Sequence, residues 1–309
     1  MKSIAAALVL IALPPTWALI DAVSFSVHNR SNGSIVSSGL EREYLLYVPR
    51  SYDPAKPAPL VISMHGAAGW PVLQMEMSGW NAVAEKEGFI VVYPAGVAGA
   101  GPRTWAVDRG PGLRRDVRYI ADLIDKLEAT YNIDRERIYA NGLSNGGGMA
   151  FVLSCAMADR IAAVGMVGAA QTLPWSWCSS DRSVPMITFH GTKDPAALYD
   201  GGRSWVSPLS FPSVPVWTEN WSRRNRCARE PVESRIAGHV TRREYVNCAG
   251  DASVVLYTIH GGGHTWPGSG TRLPEWFMGE TSKEIDASAE MWRFFRAHKL
   301  GRYSTPRGL

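Results

Sequence analysis

The sequence has no long run of basic residues, no internal repeat and no linker rich in Pro, Ser and Gly. Only 19% of its 309 residues are charged, and 32 Lys and Arg against 28 Asp and Glu leave a formal charge of +4. Nucleic-acid binding needs a dense positive stripe, so this pattern excludes nucleic acid as a partner. With 46% hydrophobic residues, the chain can bury a large core, which excludes disorder. We therefore expect a single globular domain over 23–309.

The apolar run at the N-terminus is too short to cross a bilayer. It covers 4–13 and is followed by small residues suited to cleavage after Ala18 or Ala22. This layout is typical of a secretory signal peptide, here 1–22, whereas a membrane helix needs roughly 20 apolar residues. An uncleaved N-terminal anchor is the alternative. We expect a secreted protein, extracellular or periplasmic, that has no membrane contact after cleavage.

Four cysteines follow this segment, and they include neither a C-x-x-C motif nor a cysteine-histidine cluster of zinc spacing. A structural metal site is therefore disfavoured. An even cysteine count in an exported chain favours disulfides, and four buried free thiols are the alternative. Of the three possible pairings we favour the local one, which joins Cys155 to Cys178 and Cys227 to Cys248.

Short β-rich apolar runs alternate with helical segments along the chain. The clearest helix is predicted over 115–131, where Val117, Ile120, Ile124 and Leu127 recur at spacings of three or four. This alternation predicts an α/β fold with a mostly parallel central sheet and helices on both faces. The Gly-, Ser- and Pro-rich stretch 199–215 is expected to be irregular. The predicted strands are 44–48, 60–64, 89–93, 138–140, 163–167, 186–190 and 254–259, and the other predicted helices are 75–87, 146–155, 216–224 and 285–298.

The pentapeptide Gly142-Leu143-Ser144-Asn145-Gly146 has the pattern G-x-S-x-G. It lies directly after a predicted strand and directly before a predicted helix, the context that a nucleophile elbow requires. Glycines two positions either side of the serine are needed because a Cβ there would crowd the turn. We interpret Ser144 as a nucleophile that also gains the positive field of the helix N-terminus. A glycine-rich loop that only caps the helix is the alternative.

A serine hydroxyl needs a general base, which we seek in a histidine further along the chain. His264 lies in the glycine-rich stretch 261–268, just after a predicted strand, and is our candidate. His260, at the strand end, is the rival and is interpreted as packed. The spacing of four between these histidines would suggest a metal pair on a helix, but the three glycines between them disfavour a helix. We expect no metal and no cofactor.

The candidate acid is Asp194, which follows the predicted strand 186–190. Catalytic loops of open α/β sheets gather at this end of the strands. The resulting chain order, Ser then Asp then His, is that of the α/β-hydrolases. The competing carboxylates are those of Asp159, Asp181, Asp200 and Asp251.

The stretch His65-Gly66-Ala67-Ala68-Gly69 follows another predicted strand and is similar to the H-G-x turn that supplies an oxyanion-hole amide. We assign the backbone N–H groups of Ala67 and Asn145 as the two donors. His65 is then expected to hold the loop, and a plain strand-to-loop turn is the alternative. Of the twelve tryptophans, Trp266, two residues after the candidate base, is expected to touch substrate.

Together these motifs resemble the secreted polyhydroxybutyrate depolymerase and feruloyl esterase family, a carbohydrate esterase family 1-like group of the α/β-hydrolase superfamily. The resemblance implies that Ser144, Asp194 and His264 match the family triad and that the cysteines form its local disulfides. Asn145 departs from the small residue that depolymerase-like members often have there. The matching strings lie within 43–298 and are Tyr47-Val48-Pro49, His65-Gly66, Tyr93-Pro94, Asp116-Val117, Gly142-Leu143-Ser144, His190 to Asp194, Asn225-Arg226-Cys227 and, most specifically, Gly262 to Gly268.

The resemblance implies a secreted serine ester hydrolase that forms an acyl-enzyme on Ser144. The expected substrates are polyhydroxybutyrate-type polyester or its oligomers, or feruloyl or acetyl esters of polysaccharides. Because no linker or polymer-binding module is expected, soluble substrates are as plausible as solid polymer. A non-catalytic secreted protein that binds polymer or carbohydrate on the same fold is the second class of function. A metal-dependent amidase or deacetylase that uses His260 and His264 is the third.

Overall fold

The computed structural model describes residues 30–98, 102–178, 180–204, 207–271 and 274–301. The predicted signal peptide, 1–22, lies outside the described residues. Of the helices within those ranges, none is both long and apolar enough to span a lipid bilayer.

Strands and helices alternate through most of the described chain. The strands are β1 (Gly33–Ser37), β2 (Leu40–Tyr47), β3 (Ala58–Met64), β4 (Ile90–Pro94), β5 (Ile133–Leu143), β6 (Ala163–Val167), β7 (Met186–Gly191), β8 (Gly202–Ser204), β9 (Ser207–Phe211), β10 (Val232–Ala237), β11 (Val240–Tyr245) and β12 (Val254–Ile259). The helices are α1 (Pro71–Ser78), α2 (Trp80–Glu87), α3 (Pro111–Thr130), α4 (Asn145–Ala156), α5 (Val214–Arg224), α6 (Glu275–Met278) and α7 (Ala287–Arg296).

One ten-stranded sheet has the order β1-β2-β4-β3-β5-β6-β7-β12-β11-β10. The six central strands, from β4 to β12, run parallel to one another. The two strands at each edge pair antiparallel. Strands β3, β4, β6 and β7 are buried along their whole length, which explains their continuous apolar sequences. The predicted α/β fold with a mostly parallel sheet is confirmed.

The two faces of the sheet carry separate apolar layers. Leu60 and Ile62 of β3 face a layer formed with α3, α4 and α5, whereas Val61 faces a layer formed with α2 and α7. Successive side chains of a strand point to opposite faces, so a strand between two helical layers must be apolar at every position. Helices therefore cover both faces, and the carboxyl ends of the parallel strands meet along one edge of the layers.

The structure departs from the sequence-based prediction in several places, among them the central strand predicted over 138–140, which spans Ile133–Leu143. The single helix predicted over 75–87 is two helices, because Gly79 takes φ +66° and ends α1. Strands β1, β10 and β11 were not expected, since exposed polar residues interrupt their apolar pattern. The stretch 199–215 is not wholly irregular, because it contains the antiparallel pair of β8 and β9.

Two disulfides fasten loops to the sheet and its helices. Cys155, in the last turn of α4, is bonded to Cys178, and Cys227, after α5, is bonded to Cys248, after β11. Among the described residues no cysteine is free. In the chain-entropy picture, each crosslink of a loop of this length contributes about 3 kcal/mol to stability.

Candidate active site

Ser144 is the single residue between a strand and a helix. β5 ends at Leu143 and α4 begins at Asn145, and this abrupt change of direction holds Ser144 at φ 53° and ψ −120°. A non-glycine residue in such a sparsely populated conformation costs about 1–3 kcal/mol, which the surrounding packing must supply. The backbone N–H of Ser144 donates to Val167 O at 2.8 Å. Its hydroxyl makes no capping bond to α4.

The elbow glycines permit a close approach between the start of α4 and the end of β3. A Cβ at Gly142 would lie 2.6 Å from Met64 O, and a Cβ at Gly146 would lie 2.5 Å from His65 O. Contacts this short do not occur, so any side chain at either position would push the helix away from the sheet. The two glycines therefore keep Ser144 beside the loop that follows β3.

His264 and Asp194 form a buried pair on neighbouring loops. β7 and β12 are adjacent and parallel, so the loops that follow them leave the sheet side by side. His264 Nδ1 lies 2.7 Å from Asp194 Oδ2. The other carboxylate oxygen, Oδ1, accepts the backbone N–H groups of Ala196 and Ala197, both at 2.8 Å. The Asp194 carboxylate is thus held from two sides, and it can fix the orientation of the imidazole.

The surroundings of Asp194 keep it ionised. Burial alone raises its pKa, but the charge of His264 and its hydrogen bond, together with His190 and the Ala197 N–H, outweigh this, and the pKa lies below its usual range. A carboxylate in this position accepts the Nδ1 proton of His264, which leaves Nε2 free to accept another proton. The pair can therefore act as a general base that faces away from Asp194.

Gly168 brings this pair and the elbow together. It follows β6 directly after Val167, the residue whose carbonyl accepts the Ser144 N–H. A Cβ at Gly168 would lie 3.0 Å from His264 Nδ1 and 3.2 Å from Asp194 Oδ2. Ser144 and the Asp194–His264 pair thus contact consecutive residues of one turn. The structure places the three predicted triad residues at the same carboxyl-end edge of the sheet.

The proposed oxyanion donors lie on two elements that both adjoin Ser144. A Cβ at Gly66 would lie 3.4 Å from Ser144 Cβ, so the loop that carries Ala67 runs past the serine. Asn145 begins α4, and the first N–H groups of a helix have no partner within it. In the part of the chain that the structure describes, neither the Ala67 nor the Asn145 N–H donates to a protein acceptor. Both amides can therefore serve a ligand.

His65 holds the loop that carries Ala67. Its Nδ1 lies 2.7 Å from Gly66 O, and its Nε2 accepts the N–H of Gly96 at 2.9 Å. Burial lowers its pKa to about 4, and the hydrogen bond to Gly66 only partly opposes this. The ring is therefore neutral and donates from Nδ1. Both of its nitrogens are used by the backbone, as expected for a bracing residue.

The other candidates lie elsewhere. His260 was expected to be packed, but it is exposed and its Nε2 lies 3.0 Å from Thr241 Oγ1 at the sheet edge. Within the described ranges, His, Cys, Asp and Glu side chains form no group of three that could hold a metal ion. The rival carboxylates are all exposed, and they are those of Asp159, Asp181, Asp200 and Asp251.

Trp266 does not have the exposure that substrate contact requires. It is only 1% exposed, and its indole N–H donates to Ser288 Oγ at 3.1 Å. The expectation that it touches substrate is therefore corrected, because the chain turns its ring into the layer beneath the loop. Trp276, on α6, is 88% exposed. The carbonyl of Met278 on the same helix accepts the N–H of His264 at 2.6 Å.

Comparisons with known proteins agree with this geometry. A family model described as esterase PHB depolymerase matches residues 42–230. Feruloyl esterase B from Piromyces equi is 31% identical over 230 residues, which are 72% of this chain and 42% of that protein. Poly(3-hydroxyalkanoate) depolymerase C from Paucimonas lemoignei is 27% identical over 236 residues, which are 68% of this chain and 55% of that protein. The chain thus spans about half the length of these curated relatives.

Among solved structures, an acetyl xylan esterase from Aspergillus awamori aligns with a TM-score of 0.55 at 17% sequence identity. The alignment covers 72% of this chain and 89% of that chain, and it supports the α/β-hydrolase fold. The family match extends over more than half of the sequence and includes the elbow and the Asp194 loop. This chain therefore belongs to the esterase PHB depolymerase family.

Proposed function

We propose that this protein is a secreted serine esterase, a carboxylic ester hydrolase with Ser144 as nucleophile, His264 as general base and Asp194 as the residue that orients the base. The observation that carries the proposal is the buried 2.7 Å contact between His264 Nδ1 and Asp194 Oδ2, packed on the turn that also binds the Ser144 backbone. A non-catalytic binding protein would have no need for a strained serine that shares a turn with a buried histidine–carboxylate pair.

In the proposed mechanism, Ser144 Oγ attacks the ester carbonyl carbon while His264 Nε2 accepts the hydroxyl proton. The Asp194 carboxylate stabilises the imidazolium that forms. The N–H groups of Ala67 and Asn145 donate to the carbonyl oxygen as it becomes negative. The bond to the alcohol oxygen then breaks as His264 returns the proton to it, which leaves the acyl group on Ser144. Water, activated by His264, releases the acid and restores the serine.

The proposed substrates are esters of two kinds. The names of the relatives point to feruloyl or acetyl esters of polysaccharides and to polyhydroxyalkanoate-type polyesters or their oligomers. Trp276 is exposed on the helix whose Met278 carbonyl accepts the His264 N–H, and it is our candidate for contact with an apolar or aromatic part of the ester. A panel of hydroxybutyrate oligomers, methyl ferulate and acetylated xylan ranks these classes directly.

Secretion is part of the proposal. It is supported by the apolar N-terminal sequence and by the two disulfides, which persist in oxidising compartments. N-terminal sequencing of the protein recovered from outside the cytoplasm tests this. A mature chain that begins after Ala18 or Ala22 is expected, whereas a retained Met1 contradicts export by cleavage.

The decisive experiment uses Ser144→Ala with Ser34→Ala as the matched control, because Ser34 is exposed on an edge strand. Turnover of a short p-nitrophenyl ester and labelling by a fluorophosphonate are measured on the purified proteins. We expect both signals in the wild type and in Ser34→Ala and neither in Ser144→Ala. Full activity in Ser144→Ala, or a wild type with no turnover and no label, would reject the esterase proposal.

A further inference from the structure

The side chain of Asn145 makes two hydrogen bonds with the backbone of a single residue. Trp105 N–H donates to Asn145 Oδ1 at 2.7 Å, and Asn145 Nδ2 donates to Trp105 O at 3.0 Å. Because a backbone N–H can only donate and a carbonyl can only accept, the amide group has one possible orientation. Two bonds to one peptide segment fix both the separation and the rotation of the groups they join. The start of α4 is thereby fastened to the segment around Trp105.

Trp105 is also fastened to the loop after β3, which carries Ala67. Its indole N–H donates to His65 O at 3.1 Å, and the ring centroids of Trp105 and His65 are 5.4 Å apart. Trp105 is 2% exposed, so water does not compete for these bonds. One buried residue therefore contacts both elements that carry the proposed oxyanion donors.

The segment around Trp105 is itself held in place. Arg103 O accepts the N–H of Ala68, the residue that follows the donor Ala67, at 2.8 Å. On the other side, Ala106 N–H donates to Asp116 Oδ2 at 2.8 Å. Asp116 Oδ1 pairs with the buried guanidinium of Arg42 at 2.9 Å. Trp105 is thus held in place, so a shift of the Ala67 loop or of α4 would break hydrogen bonds to it.

We propose that Asn145 is a positioning residue through its side chain: the Asn145–Trp105 clamp, formed by these two residues, sets the distance between the Ala67 and Asn145 N–H donors. The inference rests on the proposed esterase function. The two donors are 78 positions apart in sequence and lie on different elements, so tertiary contacts must align them. Oxyanion stabilisation depends on donors at hydrogen-bond distance from the developing charge, and the loss of one donor costs about 10²–10³ in kcat.

Asn145→Ala tests the clamp, because it removes both bonds to Trp105 and retains the backbone N–H of residue 145. We expect kcat for a p-nitrophenyl ester to fall about 10- to 100-fold, since the donor is misaligned and not deleted. The KM should stay within about twofold, since the bonds matter most in the transition state. An alkylboronic acid, whose tetrahedral adduct places an oxygen in the oxyanion site, should lose affinity by the same factor as kcat.

Two further variants distinguish a loss of donor alignment from a general loss of stability. Trp105→Phe keeps a ring but removes the indole N–H bond to His65 O, so it should lower kcat without raising KM. Combined with Asn145→Ala it should lower kcat by less than the product of the single effects, because both act on one alignment. Tyr119→Phe is the control, since it removes the hydroxyl bond to Glu43 O from a ring stacked on Trp105. It should reduce thermal stability and leave kcat unchanged.

The proposal is overturned if folded Asn145→Ala keeps kcat within threefold of the wild type, if only KM changes, or if Tyr119→Phe lowers kcat as much. If Asn145→Ala does not fold, the same measurements on Trp105→Phe decide. A failure of the esterase proposal is distinguishable, because the wild type would then show neither turnover nor labelling of Ser144. A wild type and Ser144→Ala that behave as expected, beside an unchanged Asn145→Ala, would reject the clamp alone.

Discussion

Two loops that each carry a histidine lie close to the elbow, and they hold their rings differently. His65, after β3, gives both nitrogens to backbone groups and has its pKa lowered to about 4 by burial. His264, after β12, gives Nδ1 to the carboxylate of Asp194. A buried ring that is satisfied by neutral backbone groups stays neutral and serves as a brace. A ring backed by a carboxylate can accept a proton and share the charge.

A third histidine shows that a nearby carboxylate is not sufficient. His190 lies 3.4 Å from Asp194 Oδ2, but its Nε2 is 2.6 Å from Ala197 O. Burial lowers its pKa, even though the charge of Asp194 acts in the opposite direction. His190 therefore holds the loop that carries Asp194. The 2.7 Å contact of His264 Nδ1 with the Asp194 carboxylate distinguishes the candidate base from His190, whose Nε2 is closer to a backbone carbonyl than to that carboxylate.

The largest expected effect is a loss of kcat that differs between the two histidine loops. His264→Ala should lower kcat by about 10⁶-fold, since removal of the base disables the whole triad. His65→Ala should lower it by at most about 100-fold, the scale of a misplaced donor. Turnover of a p-nitrophenyl ester by both folded variants measures the difference. Equal losses in the two variants would contradict the assignment of roles.

Asp194→Asn tests what the carboxylate adds to His264. The amide keeps the shape of the side chain but favours the wrong imidazole tautomer, so kcat should fall about 10⁴-fold. Asp200→Asn, at an exposed carboxylate beyond the same loop, is the matched control and should behave as the wild type. An unchanged rate in Asp194→Asn would move the role to another carboxylate.

His65→Ala should also reveal the bracing role as a loss of stability. It leaves the buried N–H of Gly96 without its acceptor, which costs about 1–3 kcal/mol in the free energy of unfolding. Urea unfolding followed by circular dichroism measures this loss. His260→Ala, at an exposed histidine, should change the free energy of unfolding by less than about 0.5 kcal/mol. A similar loss of unfolding free energy in both variants would contradict the bracing role of His65.

The smallest expected effect is a dependence of stability on pH. The unfolded chain protonates His65 near pH 6.5, whereas in the fold its pKa is about 4, so stability is lost as the pH falls through this window. Between pH 7.5 and 5.5 the loss from this one group is about 1.3 kcal/mol. His65→Gln removes the group, and its unfolding free energy should depend less on pH by that amount. The same pH dependence in both proteins would mean that His65 is protonated in the fold.

The central strands were predictable from sequence because burial on both faces makes each one a continuous apolar run. Strands β6 and β12 begin and end where the apolar runs 163–167 and 254–259 do. The edge strand β10 was missed because its sequence, Val232-Glu-Ser-Arg-Ile-Ala237, is mostly exposed and carries no such run. A strand is recognisable in the sequence only where its environment constrains it.

In the candidate site, too, some features could be predicted from the sequence and others could not. The residues of the elbow and of the loops after β7 and β12 follow from local motifs, since each motif needs its own strand and turn. The burial of Trp266 and the use of the Asn145 amide by Trp105 do not, because each depends on a partner that is distant in sequence. Which surface a tryptophan faces is decided by packing between layers, and no local pattern reports it.

The contact between the His264 loop and α6 is made by main-chain atoms. Met278 O accepts the His264 N–H, and Gly263 lies so close to Met278 O that any side chain at Gly263 would force the two segments apart. Position 263 therefore tolerates no enlargement. Since this junction is made by main-chain atoms, substitutions of the side chains of α6 can change the surface beside the His264 loop and leave the imidazole in its place.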